Sequence, residues 1–327
     1  MTTIPGTRFE AGSFAPVAVA RRNGTDESLH HGAAVIVDGD GAIVRSVGDP
    51  ELPVYPRSSL KPFQASAMLR AGLDVPHRLL ALVIASHSGE PVHIDGVRQL
   101  LDRFDLHVDD LANTPTFPLD DAERVAAIRD GVAPSSLLQN CSGKHAGMLA
   151  TCRLNGWPTA GYLERSHPLQ QAIIVEIDRL VGREGGSVVD SGVDGCGAPT
   201  HVMPLVDVAR ALSRLFAERS ETVEAMAAHP HLVGGTGRAD TTWMAAVPGL
   251  VAKEGAAGML VLGLPDGRAA ALKIADGSDD ARRPVFAEIL RHLDLDVDGQ
   301  LAGVRDSLTA NVAGHGEPVG RIDALAW

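Results

Sequence analysis

The sequence predicts an α/β fold. An antiparallel sheet is assembled from both ends of the chain and flanked by helices, and a helical lobe is inserted between. Two hairpin signals and one long stretch of helical periodicity predict it. Near the start, residues 32–37 (Gly-Ala-Ala-Val-Ile-Val) and 42–47 (Ala-Ile-Val-Arg-Ser-Val) flank Asp38-Gly39-Asp40-Gly41, where glycine supplies the positive φ of a tight turn. Near the end, 258–263 and 269–274 flank Pro265-Asp266-Gly267 in the same way. Between them, apolar residues recur at helical spacing through 61–71, 91–106, 166–182 and 203–218. Ser166 ahead of Pro168 reads as a cap-then-proline start, and a last helix is expected over 281–293. The expected division is a discontinuous α/β lobe of 1–57 and 200–327 and a mainly helical lobe of 58–199, in one compact unit.

Composition narrows the function. With 45% hydrophobic and 21% charged residues over 327 positions, the chain is globular and long enough for a sizeable core. Its net charge of −12 disfavours nucleic acid and anionic membrane surfaces as partners. Aromatics at 4% leave little for base stacking. The strongest apolar run, Leu79–Ala85, is far shorter than the roughly 20 residues of a membrane span. Pro5, Glu10 and Pro16 interrupt the first twenty residues, so no signal peptide is expected and the location is read as cytoplasmic. Three cysteines, Cys141, Cys152 and Cys196, argue against a disulfide framework and leave the thiols free for packing, metal or nucleophilic work.

Four short motifs carry chemistry. In Arg57-Ser58-Ser59-Leu60-Lys61-Pro62, Ser58 and Lys61 stand one helical turn apart. A serine at a helix start feels the positive end of the dipole, which favours its alkoxide. A lysine acts as base only when neutral, which at pH 7 costs roughly 4.6 kcal/mol against its ordinary ionisation, so burial or a second cation must supply the difference. Ser86-His87-Ser88-Gly89-Glu90 follows directly on the apolar run, placing small polar groups at the end of a buried segment. Asn140-Cys141-Ser142-Gly143-Lys144-His145 and Asp194-Gly195-Cys196-Gly197 set two cysteines in polar, glycine-flanked turns. Two such thiolates can hold zinc with a third donor, His145 by ordinary preference or Lys144 if it loses its proton. Cys152 sits in an apolar pattern and reads as core. Lys253-Glu254-Gly255 precedes the second hairpin, where small residues allow close approach to the backbone; Lys273, on the return strand, reads as a surface lysine. Gly234-Gly235-Thr236-Gly237-Arg238 lacks the Gly-Lys-Ser/Thr of a phosphate loop and reads as a tight turn, with His229 and His231 before it in a polar turn.

In this order, Arg-Ser-Ser-x-Lys-Pro-x-Gln (57–64), Ser-His-Ser-Gly-Glu (86–90), Asn-Cys-Ser-Gly-Lys-His-Ala-Gly-Met (140–148), His-Pro-Leu-Gln (167–170), Asp-Gly-Cys-Gly-Ala-Pro (194–199) and Lys-Glu-Gly-Ala-x-Gly (253–258) resemble the asparaginase II family, the rhizobial-type L-asparaginases. The resemblance runs from about residue 14 to about 325. It implies a serine β-lactamase-like and glutaminase-like fold, and hydrolysis of L-asparagine to L-aspartate and ammonia. It implies two Ser-Lys dyads, Ser58 with Lys61 and Ser86 with Lys253, and a zinc ion on Cys141, Lys144 and Cys196. Arg57 and Asp194 would hold the substrate's charges, and two chains would form a homodimer. Ser88, two residues from Ser86, is the alternative second serine. The other functional readings are a related serine amidohydrolase acting on glutamine or a β-lactam, and a catalytically silent metal- or ligand-binding module.

Overall fold

Glycine-led turns close the strands and apolar periodicity builds the helices, as the sequence predicts. In the computed structural model, which describes residues 9–299 and 301–327, the strands are β1 (Ala15–Arg22), β2 (Thr25–Val37), β3 (Ile43–Val47), β4 (Pro53–Val54), β5 (Asp190–Val193), β6 (Pro199–Pro204), β7 (Val251–Gly255), β8 (Met259–Gly263), β9 (Ala269–Ile274), β10 (Ala310–Gly314) and β11 (Glu317–Ala324). The helices are α1 (Lys61–Arg70), α2 (His77–Ile84), α3 (Pro91–Arg103), α4 (Asp121–Arg129), α5 (Ser142–Asn155), α6 (Pro168–Val181), α7 (Leu205–Ala217), α8 (Glu221–Ala228), α9 (Pro230–Val233), α10 (Ala239–Ala246) and α11 (Asp279–His292). The chain forms two compact units. One holds the residues through Ser59, Met203–Ala217 and Ala252–Trp327; the other holds Leu60–Val202 and Glu218–Val251. The helical unit thus takes in 218–251, which the expected division gave to the other lobe.

The first unit is built on an antiparallel sheet in the order β10-β11-β1-β2-β9-β8-β7, with β3 paired to β2. Both expected hairpins are present: Ala34 faces Val47 across β2 and β3, and Leu260 faces Leu272 across β8 and β9. The two ends of the chain meet in the sheet, where Ala18 of β1 pairs with Ala324 of β11. β7 and β8 are buried along their whole length, so both faces of the sheet are covered there. α7 packs on β2, β8 and β9, and α11 on β1, β9, β10 and β11. Gly263 lets β8 approach α7 closely, since a Cβ there would stand 2.6 Å from the Phe216 ring. The segment after 293, where no element is expected from the pattern, supplies β10 and β11; β11 is half-buried to exposed and shows no apolar alternation.

The second unit is helical, apart from the β5–β6 hairpin. Its centre is α2, in which six consecutive residues from Leu79 to Ile84 are buried. Glycines of two neighbouring helices meet it. A Cβ on Gly96 of α3 would lie 2.2 Å from Leu82 Cδ1, and one on Gly147 of α5 would lie 2.8 Å from the Val83 methyls. A Cβ on Gly143 would lie 2.2 Å from the Leu82 carbonyl oxygen. These contacts bring the start of α5 to the end of α2, and so bring the Cys141 motif to the Ser86 motif.

His201 on β6 is fully buried and hydrogen-bonded through Nδ1 to the Ser191 hydroxyl at 2.8 Å. Burial pushes its pKa down to about 4. The unfolded chain takes up this proton near pH 6.5 and the folded chain only near pH 4, so stability falls as pH drops through that window, by about 3 kcal/mol in all. Urea midpoints between pH 7 and 5 are therefore expected to decline more steeply for the wild type than for His201→Gln; equal slopes would contradict the assignment.

Candidate active site

Lysine use marks the site. The sequence has four lysines among 29 basic residues, and three of them, Lys61, Lys144 and Lys253, are at most 2% exposed. A buried ammonium persists only when it is paired or hydrogen-bonded, and such groups gather where chemistry is done.

In the helical unit, Lys61 opens α1 and Ser86 follows α2. Lys61 Nζ donates to Ser86 Oγ at 2.9 Å and to the Ala85 carbonyl. The chain leaves α2 extended, and its backbone is held on both sides: Ser86 and Ser88 donate N–H bonds to the Val233 and Gly234 carbonyls, and His87 to Asn140. Ser88 Oγ donates to the Gly234 carbonyl at 3.0 Å, so its hydroxyl proton is occupied. Of the two serines, Ser86 is the one that faces an amine. The resemblance pairs Ser86 with Lys253; the Lys61–Ser86 bond is a pairing it does not include.

Cys141 is the N-cap of α5, and Cys196 lies in the turn between β5 and β6. That turn is closed by Asp194 N–H to the Ala198 carbonyl, with Gly197 at φ +88°. Both cysteines are buried and pack with Ala198 and Leu163. The sequence reading set them in polar turns, and their sulfurs meet polar partners, Lys144 Nζ at 3.1 Å from Cys196 Sγ and Asn140 Oδ1 at 3.5 Å from Cys141 Sγ. A hydrogen bond from Cys196 holds the Cys141 thiol well below its ordinary pKa, against burial and with help from the Lys61 and Lys144 charges. The same bond, with burial, pushes Cys196 up. Burial works against the Lys144 charge, but the two sulfurs outweigh it and the net shift is upward, with a smaller contribution from Asp194. His145 Nδ1 is engaged by the Tyr162 hydroxyl at 2.8 Å, which also accepts from the Ala112 N–H, while His145 Nε2 is buried with no hydrogen-bond partner. Two thiols and the Lys144 amine converge, and this donor set fits zinc, which takes sulfur and nitrogen ligands and needs three from the protein for a catalytic site.

In the sheet unit, Arg57 and Ser58 are half-buried in a 3₁₀ turn over 57–60 that runs into α1. Arg57 stands at φ +56°, a conformation costly for a side chain of its size and one that clusters at functional sites. Ser59 fixes this turn to β7: its hydroxyl donates to the Lys253 carbonyl at 2.8 Å. A Cβ on Gly255 would lie 2.5 Å from the Pro56 carbonyl, so that glycine permits the approach. Lys253 Nζ donates to the Glu254 carbonyl at 3.1 Å. Ser59 and Tyr162 are positioning residues that motif reading passed over; the scarcity of lysine was the available signal for the site as a whole.

Residues 18–324 match a family model of amide-hydrolysing enzymes, which makes the chain an asparaginase-type amidohydrolase. That family is L-asparaginase II, and the chain belongs to it. No curated protein matches the chain. Among solved structures it is similar to a β-lactamase from Mycobacterium bovis, with 14% identity and a TM-score of 0.42 over 81% of this chain and 95% of that one. It is also similar to a protein named Mglu, with 15% identity and a TM-score of 0.34 over 82% of this chain and 68% of that one. Among the described residues no helix is long and apolar enough to cross a membrane.

Proposed function

We propose that the protein hydrolyses the side-chain amide of L-asparagine to L-aspartate and ammonia through serine–lysine couples beside a zinc site, as a cytoplasmic homodimer. The observation that carries this reading is the buried Lys61–Ser86 hydrogen bond set against the Cys141, Lys144 and Cys196 cluster. Lys61, as the free amine, takes the proton of Ser58, and Ser58 Oγ attacks the amide carbon. Backbone N–H groups at the start of α1 meet the oxyanion that forms. Ammonia leaves with a proton delivered through the second couple, in which Ser86 is the hydroxyl and Lys253 or Lys61 the amine. Water then cleaves the acyl-enzyme, releasing aspartate and restoring the Ser58 hydroxyl. Arg57 pairs with the substrate carboxylate and Asp194 with its ammonium group.

Cys141, Lys144 and Cys196 would hold the zinc, leaving one position open. When bound, the ion supplies Lewis acidity. The chain contributes a thiol already biased toward thiolate and an amine that ligates on losing its proton.

Ammonia release tests the reading. Release is expected with asparagine, and more slowly with glutamine, and is expected to fall after zinc is stripped and return when it is restored. No ammonia from either amide above the Ser58→Ala background would overturn it. In cobalt-substituted protein, Cys196→Ser is expected to lower the near-ultraviolet thiolate-to-metal band to about half, because Cys141 remains as a thiolate ligand; an unchanged band would remove Cys196 from the ligand set.

A further inference from the structure

A second cluster of metal-binding groups lies in the helical unit, and no step of the proposed hydrolysis uses it. Glu90 is the N-cap of α3, His93 lies three residues on in its first turn, and His231 is on α9. One ligand atom from each lies within 4.8 Å of the other two. Glu90 Oε2 and His231 Nε2 are 3.0 Å apart. Burial is graded through the set: His93 is fully buried, the Glu90 side chain is 17% exposed and that of His231 47%.

His93 supplies an independent observation. Its Nε2 donates to the His231 carbonyl at 3.0 Å, which makes Nδ1 the bare lone pair of the ring. That Nδ1 is buried and has no hydrogen-bond partner. The ring stacks between His87 and His231, at centroid separations of 5.3 and 5.5 Å. A buried imidazole with an unused lone pair thus belongs to a cluster with a carboxylate and a second imidazole, the donor types that a cation of zinc's class takes.

From this juxtaposition we infer that Glu90, His93 and His231 form a second metal site, separate from the thiol cluster, for a divalent transition ion of zinc's class. Two imidazoles and a carboxylate suit such an ion, and three protein ligands leave a position for water. Tetrahedral bonds of about 2.0–2.2 Å put ligand atoms roughly 3.4 Å apart; Glu90 and His231 already stand within that, and His231, the exposed member, can turn its ring to adjust the wider separations, which reach at most 4.8 Å. The ion would tie α3 to the segment whose Val233 and Gly234 carbonyls hold Ser86 and Ser88. Glu90 already accepts from Thr236 N–H at 2.7 Å in that same loop, so the ion would reinforce an existing link.

Cobalt binding to the full chain tests this, because the two sites differ in spectrum. Thiolate ligation gives an intense near-ultraviolet band, whereas nitrogen and oxygen ligands give only weak visible bands. The wild type is expected to bind about two ions, and His231→Asn about one, with the near-ultraviolet band unchanged. Glu90→Gln is expected to weaken the second ion at least about tenfold. If the thiol site fails instead, the wild type binds an ion without that band, and His231→Asn loses it. Both substitutions binding as much cobalt as the wild type, or a wild type that binds only the thiolate-ligated ion or none, would overturn the inference.

Discussion

Ser58→Ala is expected to lower kcat for asparagine at least about 10⁴-fold, the scale on which removal of an attacking hydroxyl is felt. Ser58 is half-buried, so the thermal midpoint is expected to stay close to wild type. Ser86→Ala is expected to cost less, about 10²-fold, because a proton-relay group supplies less of the rate than the nucleophile does. The two variants therefore rank the serines. The reverse order would make Ser86, held by Lys61 at 2.9 Å, the attacking group; near-wild-type turnover in Ser58→Ala would remove Ser58 from the reaction.

Gly143→Ala is expected to destabilise the protein by about 3 kcal/mol or more, at or beyond the upper end of overpacking costs. The added methyl would stand 2.2 Å from the Leu82 carbonyl oxygen. That obstacle is backbone, so no side-chain rotation relieves it. Gly303→Ala, where nothing lies within 4 Å of the new carbon, is expected to change stability by less than about 0.5 kcal/mol. Denaturant unfolding of the pair measures both; equal stabilities would show that the α2–α5 crossing is looser than its geometry. Surviving Gly143→Ala protein is also expected to lose activity, because the crossing sets Cys141 and Lys144 beside Ser86.

Much of the architecture was legible because it rests on local chemistry. The Asp38–Gly41 and Pro265–Gly267 turns have the residues that tight turns demand, and the predicted helices fall within a few residues of α1, α3, α6, α7 and α11. What the sequence did not reveal depends on distant partners. β11 carries no alternation because much of it is exposed, and only pairing with β1 and β10 defines it. Cys141 and Cys196 are flanked by glycine and polar residues in sequence, yet packing against Ala198 and Leu163 buries them. Spacing along a chain cannot reveal that the amine on Ser86 is that of Lys61, 25 residues earlier. Lysine scarcity was a global signal: a chain that makes its surface cations almost entirely from arginine has kept lysine for interior positions.

The pairing of Ala18 with Ala324 has a consequence for synthesis. During translation β1 has no neighbour on its β11 side until residues 317–324 have been made, whereas residues 60–202 of the helical unit are available much earlier. Long-range closure of this kind is slow and leaves an unpaired edge open to other chains. A ribosome stalled shortly before residue 317 would hold a nascent protein whose helices can assemble but whose sheet still presents a bare strand, the state in which a chaperone has most to do.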